Sequence, residues 1–242
     1  PSESDLFPFR PKPFYYISTT DPNDLTYDEA FAAMTRLKAE GFGGIVLFNK
    51  PPHGFDAEAY LSEAWFEMVK NFCAACRDAG VVMWINDGFD FPPGSAAGRI
   101  NAEKYPELSP QHLVMTPDGP KAETVPWGFP AFEHPKSAEL FHELVYEQYL
   151  KHVGEYFGTT IRGFFSDADN RRVTHMVFRK ECSAMLNYFP WSDDFAGTFG
   201  ARYGYDIRPY LADVMKDAPG QRTADYWEHS GRLYQSWFKS NY

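Results

Sequence analysis

Short apolar runs alternate along this chain with longer stretches in which apolar residues recur every three or four positions. The first pattern marks a buried strand and the second an amphipathic helix. Phe14-Tyr-Tyr-Ile-Ser18 predicts the first strand. Tyr27 to Glu40 predicts the first helix, with Ala30, Phe31, Met34 and Leu37 at helical spacing and Gly41 as a stop. Gly44-Ile-Val-Leu-Phe-Asn49 is a second, almost wholly apolar strand, followed by a loop at Pro51, Pro52 and Gly54. A strong helix is expected from Leu61 to Ala79, with Ser62 as N-cap and Gly80 closing it. Val81-Val-Met-Trp-Ile85 is the third strand, and it runs into Asn86-Asp-Gly-Phe-Asp-Phe-Pro-Pro-Gly94. From Ser95 to His134 no period holds, and prolines recur. A small β excursion is expected there, with Leu113-Val-Met115 in one strand and a turn at Pro117-Asp-Gly-Pro120. A helix from Ser137 to Tyr156 leads to the fourth strand, Ile161 to Phe165. Three further helices, Asp194 to Tyr203, Arg208 to Met215 and Thr223 to Tyr242, form an enlarged crossover after it.

Repeated strand–helix units with continuous apolar strands predict an α/β protein whose parallel sheet is covered by helices. A dinucleotide-binding fold would place a glycine-rich turn after the first strand. Ser18-Thr-Thr-Asp-Pro22 stands there and offers no phosphate cradle. The competing architecture is the (β/α)8 TIM barrel, which needs eight units where this chain supplies four. The last residues, Trp237-Phe-Lys-Ser-Asn-Tyr242, lie inside a predicted helix without a stop signal. The expectation is therefore the N-terminal part, residues 1–242, of a TIM-barrel catalytic domain, covering the first four βα units. The rest of the barrel and further domains are its expected partners.

Charge narrows the function. A net charge of −10 and the lack of any Lys/Arg run argue against nucleic acid and anionic membrane. No apolar stretch reaches transmembrane length. The N-terminus, Pro1-Ser-Glu-Ser-Asp-Leu-Phe7, is not a signal peptide, and a cleaved signal leaves no trace, so compartment stays open. Aromatics make up 18% of the chain beside 33 acids, a profile common among carbohydrate-active proteins, because sugar rings stack on aromatic faces and hydroxyls bond carboxylates. Cys73 and Cys76 form a C-x-x-C inside the second helix, where two small residues facing the core are expected rather than a redox or zinc pair.

The candidate chemistry sits at strand ends. Ile161-Arg-Gly-Phe-Phe-Ser-Asp-Ala-Asp-Asn170 passes from an apolar strand to acidic and amide side chains within one loop. A parallel strand that delivers carboxylates at its C-terminal end is the arrangement barrel enzymes use. Asp167 and Asp169 are the candidate acid or leaving-group contacts, with Asn170 beside them. The competing reading of Asp167 is that it caps the following segment or pairs with Arg171 or Arg172. Asn86, Asp87 and Asp90 end the third strand as candidate sugar contacts, although Asp87 before Gly88 also suits an Asx-turn. Asn49 ends the second strand. Trp84, and Trp127 in the long loop, are candidate sugar-stacking walls. No cofactor is expected. The acidic mouth leaves room for a calcium ion with oxygen ligands only.

Several of these stretches occur together and in order: Tyr60-Leu-Ser-Glu-Ala-Trp-Phe-Glu-Met-Val69, the Asn86–Gly94 stretch with Ser-Ala-Ala-Gly-Arg after it, Gly163-Phe-Phe-Ser-Asp-Ala-Asp169, Phe199-Gly-Ala-Arg-Tyr-Gly-Tyr-Asp206 and Asp225-Tyr-Trp227. Over residues 27 to 240 the chain resembles the catalytic barrel of bacterial glycoside hydrolases similar to α-L-rhamnosidases. The resemblance implies an eight-stranded barrel, usually in a multidomain enzyme with β-sandwich partners. It also implies a catalytic acid at the end of strand four, in a motif like Phe-Phe-Thr-Asp-Glu-Pro. Asp167 matches the Asp of that motif, but Ala168 stands at the Glu and Asp169 at the Pro. Alanine cannot transfer a proton. Three readings follow: the acid is shifted to Asp169, position 168 or 169 carries a substitution, or the protein is a non-catalytic relative that binds sugar. The expected activity is cleavage of a glycosidic bond in a poly- or oligosaccharide by carboxylate acid/base chemistry. The alternative is a carbohydrate-binding barrel without catalysis. A sugar isomerase would need His and Glu metal ligands at strand ends, and the strand ends lack them.

Overall fold

A computed structural model describes residues 7–19, 21, 24–50, 53–89, 94–101, 103–124, 130–166 and 189–241. The chain divides into two compact units, Pro1–Ala97 with Glu143–Asp169, and Gly98–His142 with Asn170–Tyr242.

The first unit is built on four parallel strands, β1 (Phe14–Ile17), β2 (Gly44–Asn49), β3 (Val82–Asn86) and, from beyond the second unit's first segment, Ile161–Phe165. Their order in the sheet follows their order in the chain. The helix Tyr27–Ala39 (α1) joins β1 to β2, and Glu63–Ala79 (α2) joins β2 to β3. Both helices have sharp ends. Thr26 and Glu29 form a reciprocal capping box at the start of α1. Ser62 accepts from the Trp65 backbone N–H at the start of α2, and Gly80, at φ +68°, ends it. The start of α2 lies two residues later than the periodicity suggests, because Leu61 takes a left-handed backbone at φ +61° and turns the chain into the cap.

Every residue of β2 is buried, as its uninterrupted apolar run requires of a strand covered on both faces. Pairing fixes two rows across the sheet. Tyr15, Leu47, Ile85 and Phe164 form one row, and Tyr16, Phe48, Asn86 and Phe165 the other. Tyr15 meets Phe72 of α2, and Phe164 meets Tyr149 of a later helix, so the first row faces the helices. Helix α1 packs on α2, and α2 on that later helix. On the opposite face, the rings of Phe14 and Phe165 lie 5.1 Å apart although they belong to the two edge strands. In a flat sheet three strand spacings would hold them about 14 Å apart. The sheet is therefore strongly curled, with this face concave. Gly44 permits the close approach of β2 and β3, since a Cβ there would lie 2.0 Å from the Val82 carbonyl oxygen.

The second unit begins with the β excursion read from the sequence. Strands β4 (Gln111–Thr116) and β5 (Gly119–Thr124) pair antiparallel around a two-residue turn at Pro117 and Asp118. Gly119 follows at φ +109°. The helix α3 (Pro135–Phe141) precedes a π-helical turn, His142–Tyr146, and α4 (Glu147–Val153), which belongs to the first unit. The parallel strand Ile161–Phe165 is β6 in chain order. The short strand β7 (Pro190–Trp191) pairs antiparallel with β4. Helices α5 (Phe195–Tyr203), α6 (Leu211–Met215) and α7 (Gln221–Asn241) follow. Leu113, Phe189, Phe195, Phe199, Ile207, Leu211, Val214 and Tyr226 form the core of this unit. Trp237 of α7 is buried against Phe132 and Phe141. Among the described residues no helix is long and apolar enough to cross a membrane.

Candidate functional site

The C-terminal ends of β2, β3 and β6 lie side by side, so Asn49, Asn86 and Ser166 come to one edge of the curled sheet. Asp167 follows Ser166 directly in the chain. Asp167, Asp169 and Asn170, with Asp90 and Trp127, lie outside the described residues. The four remaining candidates are described, and each is engaged with neighbouring strands, loops or helical turns of its own unit.

Asn49 is 2% exposed. Its Nδ2 donates to the Phe55 carbonyl at 3.0 Å and comes within 3.5 Å of the Phe89 carbonyl, so one amide ties the loop after β2 to the loop after β3. Its Oδ1 is buried without a hydrogen-bond partner among the described residues. Gly54 presses against that oxygen, where a Cβ would lie 2.3 Å away.

Asn86 is 3% exposed. Its Oδ1 accepts from the Gly88 N–H at 3.1 Å, and its Nδ2 donates to the Phe165 carbonyl at 3.2 Å. The Asx-turn that the sequence allows at Asp87 is thus made one residue earlier, with Asn86 as the acceptor. The cross-link to β6 holds two strand ends together.

Asp87 follows Asn86 and so points to the opposite face, toward the helices. It is 1% exposed. Tyr146, at the end of the π turn, donates its hydroxyl to Asp87 Oδ2 at 2.5 Å. Tyr60 donates to the Asp87 carbonyl at 3.3 Å, and the Asp87 N–H donates to the Phe165 carbonyl at 3.2 Å. Behind this pair, Trp65 Nε1 donates to the Tyr149 hydroxyl at 3.1 Å. Burial pushes the Tyr149 phenol up, and the Asp87 charge adds to that, while hydrogen bonds with Trp65 and Tyr60 oppose it.

Trp84 lies one pleat before Asn86 on the concave face, deeper than the strand ends. Its indole lies against Gly163, where a Cβ would sit 3.0 Å from the ring. Sequence reasoning missed two aromatics that share the row of Asn86, Tyr16 and Phe48, whose rings are 5.4 Å apart. Tyr16 is 51% exposed and Phe14, on the same face, 44%. The alternation Phe14, Tyr16 within the first strand was the available signal. The tyrosines around Asp87 carried none, because their partners are distant in the chain.

Cys73 and Cys76 are buried in α2, and burial pushes the Cys76 thiol up to about 12 and raises Cys73 as well. Among the described residues no group of three His, Cys, Asp or Glu side chains gathers that could hold a metal ion. No family model, no curated protein and no solved structure matches this chain.

Proposed function

We propose that the chain is the N-terminal part of a TIM-barrel-type glycoside hydrolase of the α-L-rhamnosidase-like kind, with its sugar site at the C-terminal edge of the parallel sheet. The observation that carries the reading is the sheet itself: four parallel strands in sequential order, helices on one face, and edges curled until Phe14 meets Phe165. A doubly wound sheet reverses its strand order at a switch point, whereas a barrel adds each strand beside the last. The remaining barrel strands, as further units of a longer chain, complete the site in this reading. Asp167 and Asp169 supply the acid or leaving-group contact. Asn86, on the concave face, bonds sugar hydroxyls, Asn49 braces the loops from the helix side, and Asp90, Asn170 and Trp127 are further candidate contacts. Tyr16 offers an aromatic ring on the concave face for a sugar to stack on. Trp84 supports that wall from one layer below.

Ala168, at the position of the expected Glu, favours a second reading, a barrel that binds carbohydrate without cleaving it. Hydrolysis of a panel of aryl glycosides that includes the α-L-rhamnoside separates the two. The full protein is assayed beside Ala168→Glu and Asp169→Glu. A rate that rises in one variant alone places the acid there. No hydrolysis in any form, with sugar binding retained, leaves the binding protein.

A further inference from the structure

We propose that Asp87 is a positioning residue held by Tyr146 and Tyr60, and that its role is to fix the turn that carries Asn86; the inference rests on the carbohydrate reading above. Asn86 shares the concave face with Tyr16 and Phe48, and the next residue along the strand must face the helices. A sugar stacked on the concave side meets Asn86, and Asp87 stands behind the sheet.

A carboxylate buried away from water is unfavourable unless donors satisfy it. Tyr146 provides one at 2.5 Å, within the range of strong hydrogen bonds to an ionised acceptor. Three bonds converge on this one residue from three elements: Tyr146 from the π turn, Tyr60 from the loop before α2, and the Phe165 carbonyl from β6. Together they leave the Asp87 peptide little freedom. The Asx-turn from Asn86 to Gly88 is built on that same peptide.

The backbone around the clamp is distorted on both sides. Leu61, at φ +61°, has a conformation that costs a residue with a Cβ about 1 kcal/mol or more. The turn it makes places Tyr60 under Asp87 and Ser62 at the start of α2. Tyr146 ends a π-helical turn, a distortion that inserts a residue and is frequent beside functional sites. Tyr60, Trp65 and Tyr149 are all fully buried, and Trp65 fixes Tyr149 through its indole N–H. None of these side chains reaches the concave face, so their concentration behind β3 serves the strand end.

Amide hydrogen exchange on the full chain, with L-rhamnose titrated by NMR as the ligand probe, tests this. In Tyr146→Phe the Asp87 and Gly88 amides are expected to exchange about 10-fold faster, the loss of one hydrogen bond, while the middle of β2 keeps its protection. Rhamnose affinity is expected to fall about 10-fold in the same variant, whereas Asp87→Asn, which keeps an oxygen for Tyr146, should stay within about 3-fold of the parent. Unchanged exchange at Asp87 and Gly88 in Tyr146→Phe overturns the proposal. So does a loss of rhamnose binding in Asp87→Asn with normal exchange, because that marks a direct sugar contact. Should Tyr146→Phe fail to fold, Tyr60→Phe removes one anchor alone and is read in the same way. Exchange that behaves as expected in a protein that never binds rhamnose upholds the clamp and counts against the carbohydrate reading.

Discussion

The two sheets of this molecule handle polar groups in opposite ways. In the parallel sheet β2 is buried throughout, and Asn49, Asn86 and Asp87 at the strand ends are buried too, each tied by at least one side-chain hydrogen bond to another part of the unit. In the antiparallel sheet β5 exposes its last four residues, Lys121 and Glu123 among them. Charged side chains on a strand of that kind discourage pairing with another chain. The second unit buries polar groups on two helices: Ser137 of α3 donates to the Ala131 carbonyl, and on α7 Asp225 accepts from Tyr205 and Gln221 while His229 sits among aromatic rings. The difference teaches that residue type alone does not set a polar group's role. What decides it is whether water or the protein completes its hydrogen bonds.

Apolar packing is where the two regions should agree, and it carries the largest effects. Phe72 in α2 and Phe199 in α5 are both fully buried. Phe72→Ala and Phe199→Ala should each cost about 3–5 kcal/mol in urea unfolding followed by circular dichroism. A much smaller loss at either site would mean that its unit is loosely packed, and the comparison of the sheets would lose its common baseline.

Next in size comes a substitution that only the parallel sheet should refuse. Gly44 sits against the Val82 carbonyl, a backbone atom that cannot swing aside. Gly44→Ala should cost about 3 kcal/mol, the upper part of the range for overpacking, in the same unfolding measurement. Gly197, exposed in α5, has no atom within 4 Å of an added Cβ. Gly197→Ala should stabilise by about 0.5–1 kcal/mol through helix propensity. Two Gly→Ala changes of opposite sign would show that strand approach, and not glycine content, constrains the first unit.

The elements of both sheets were largely legible because their signals are local. An apolar run such as Gly44–Asn49, a cap pair such as Ser62 and Gly80, and Pro117-Asp-Gly between two strands each act within a few residues. Strand β7 was not legible, since Pro190–Trp191 is two residues long and pairs with a strand far away in the chain. The site was legible only as positions. Asn49 and Asn86 could be placed at strand ends, but what their amides bond depends on loops that the sequence does not orient. Asp87 shows the limit best. Its partner Tyr146 lies 59 residues on, and nothing within the third strand announces it. Even the face to which Asp87 points depends on a one-residue register.

The smallest expected effect is a slope with pH, and it tests the second unit's buried polar group. Burial among Phe195, Phe199 and Tyr203 holds the His229 imidazole below its ordinary value of 6.5, and the Arg202 charge adds to this while Asp194 opposes it. Below that ordinary value the unfolded chain takes up a proton at His229 that the folded chain resists. The unfolded state then binds more protons, so stability falls as pH falls, and the loss levels off once pH passes the folded value. His229→Phe keeps an aromatic ring in the cluster and removes the titration. Thr198, which bonds His229 Nε2 at 3.0 Å, retains the Asp194 and Phe195 carbonyls as acceptors. The difference in unfolding free energy between parent and variant, measured from pH 8 to pH 5, isolates this group from the other six histidines. It should shift against the parent below about pH 6.5, by no more than about 1.4 kcal/mol per pH unit for one proton. A flat difference would mean that water reaches His229 in the folded chain, and the second unit's core would then be as open to polar groups as its outer strand.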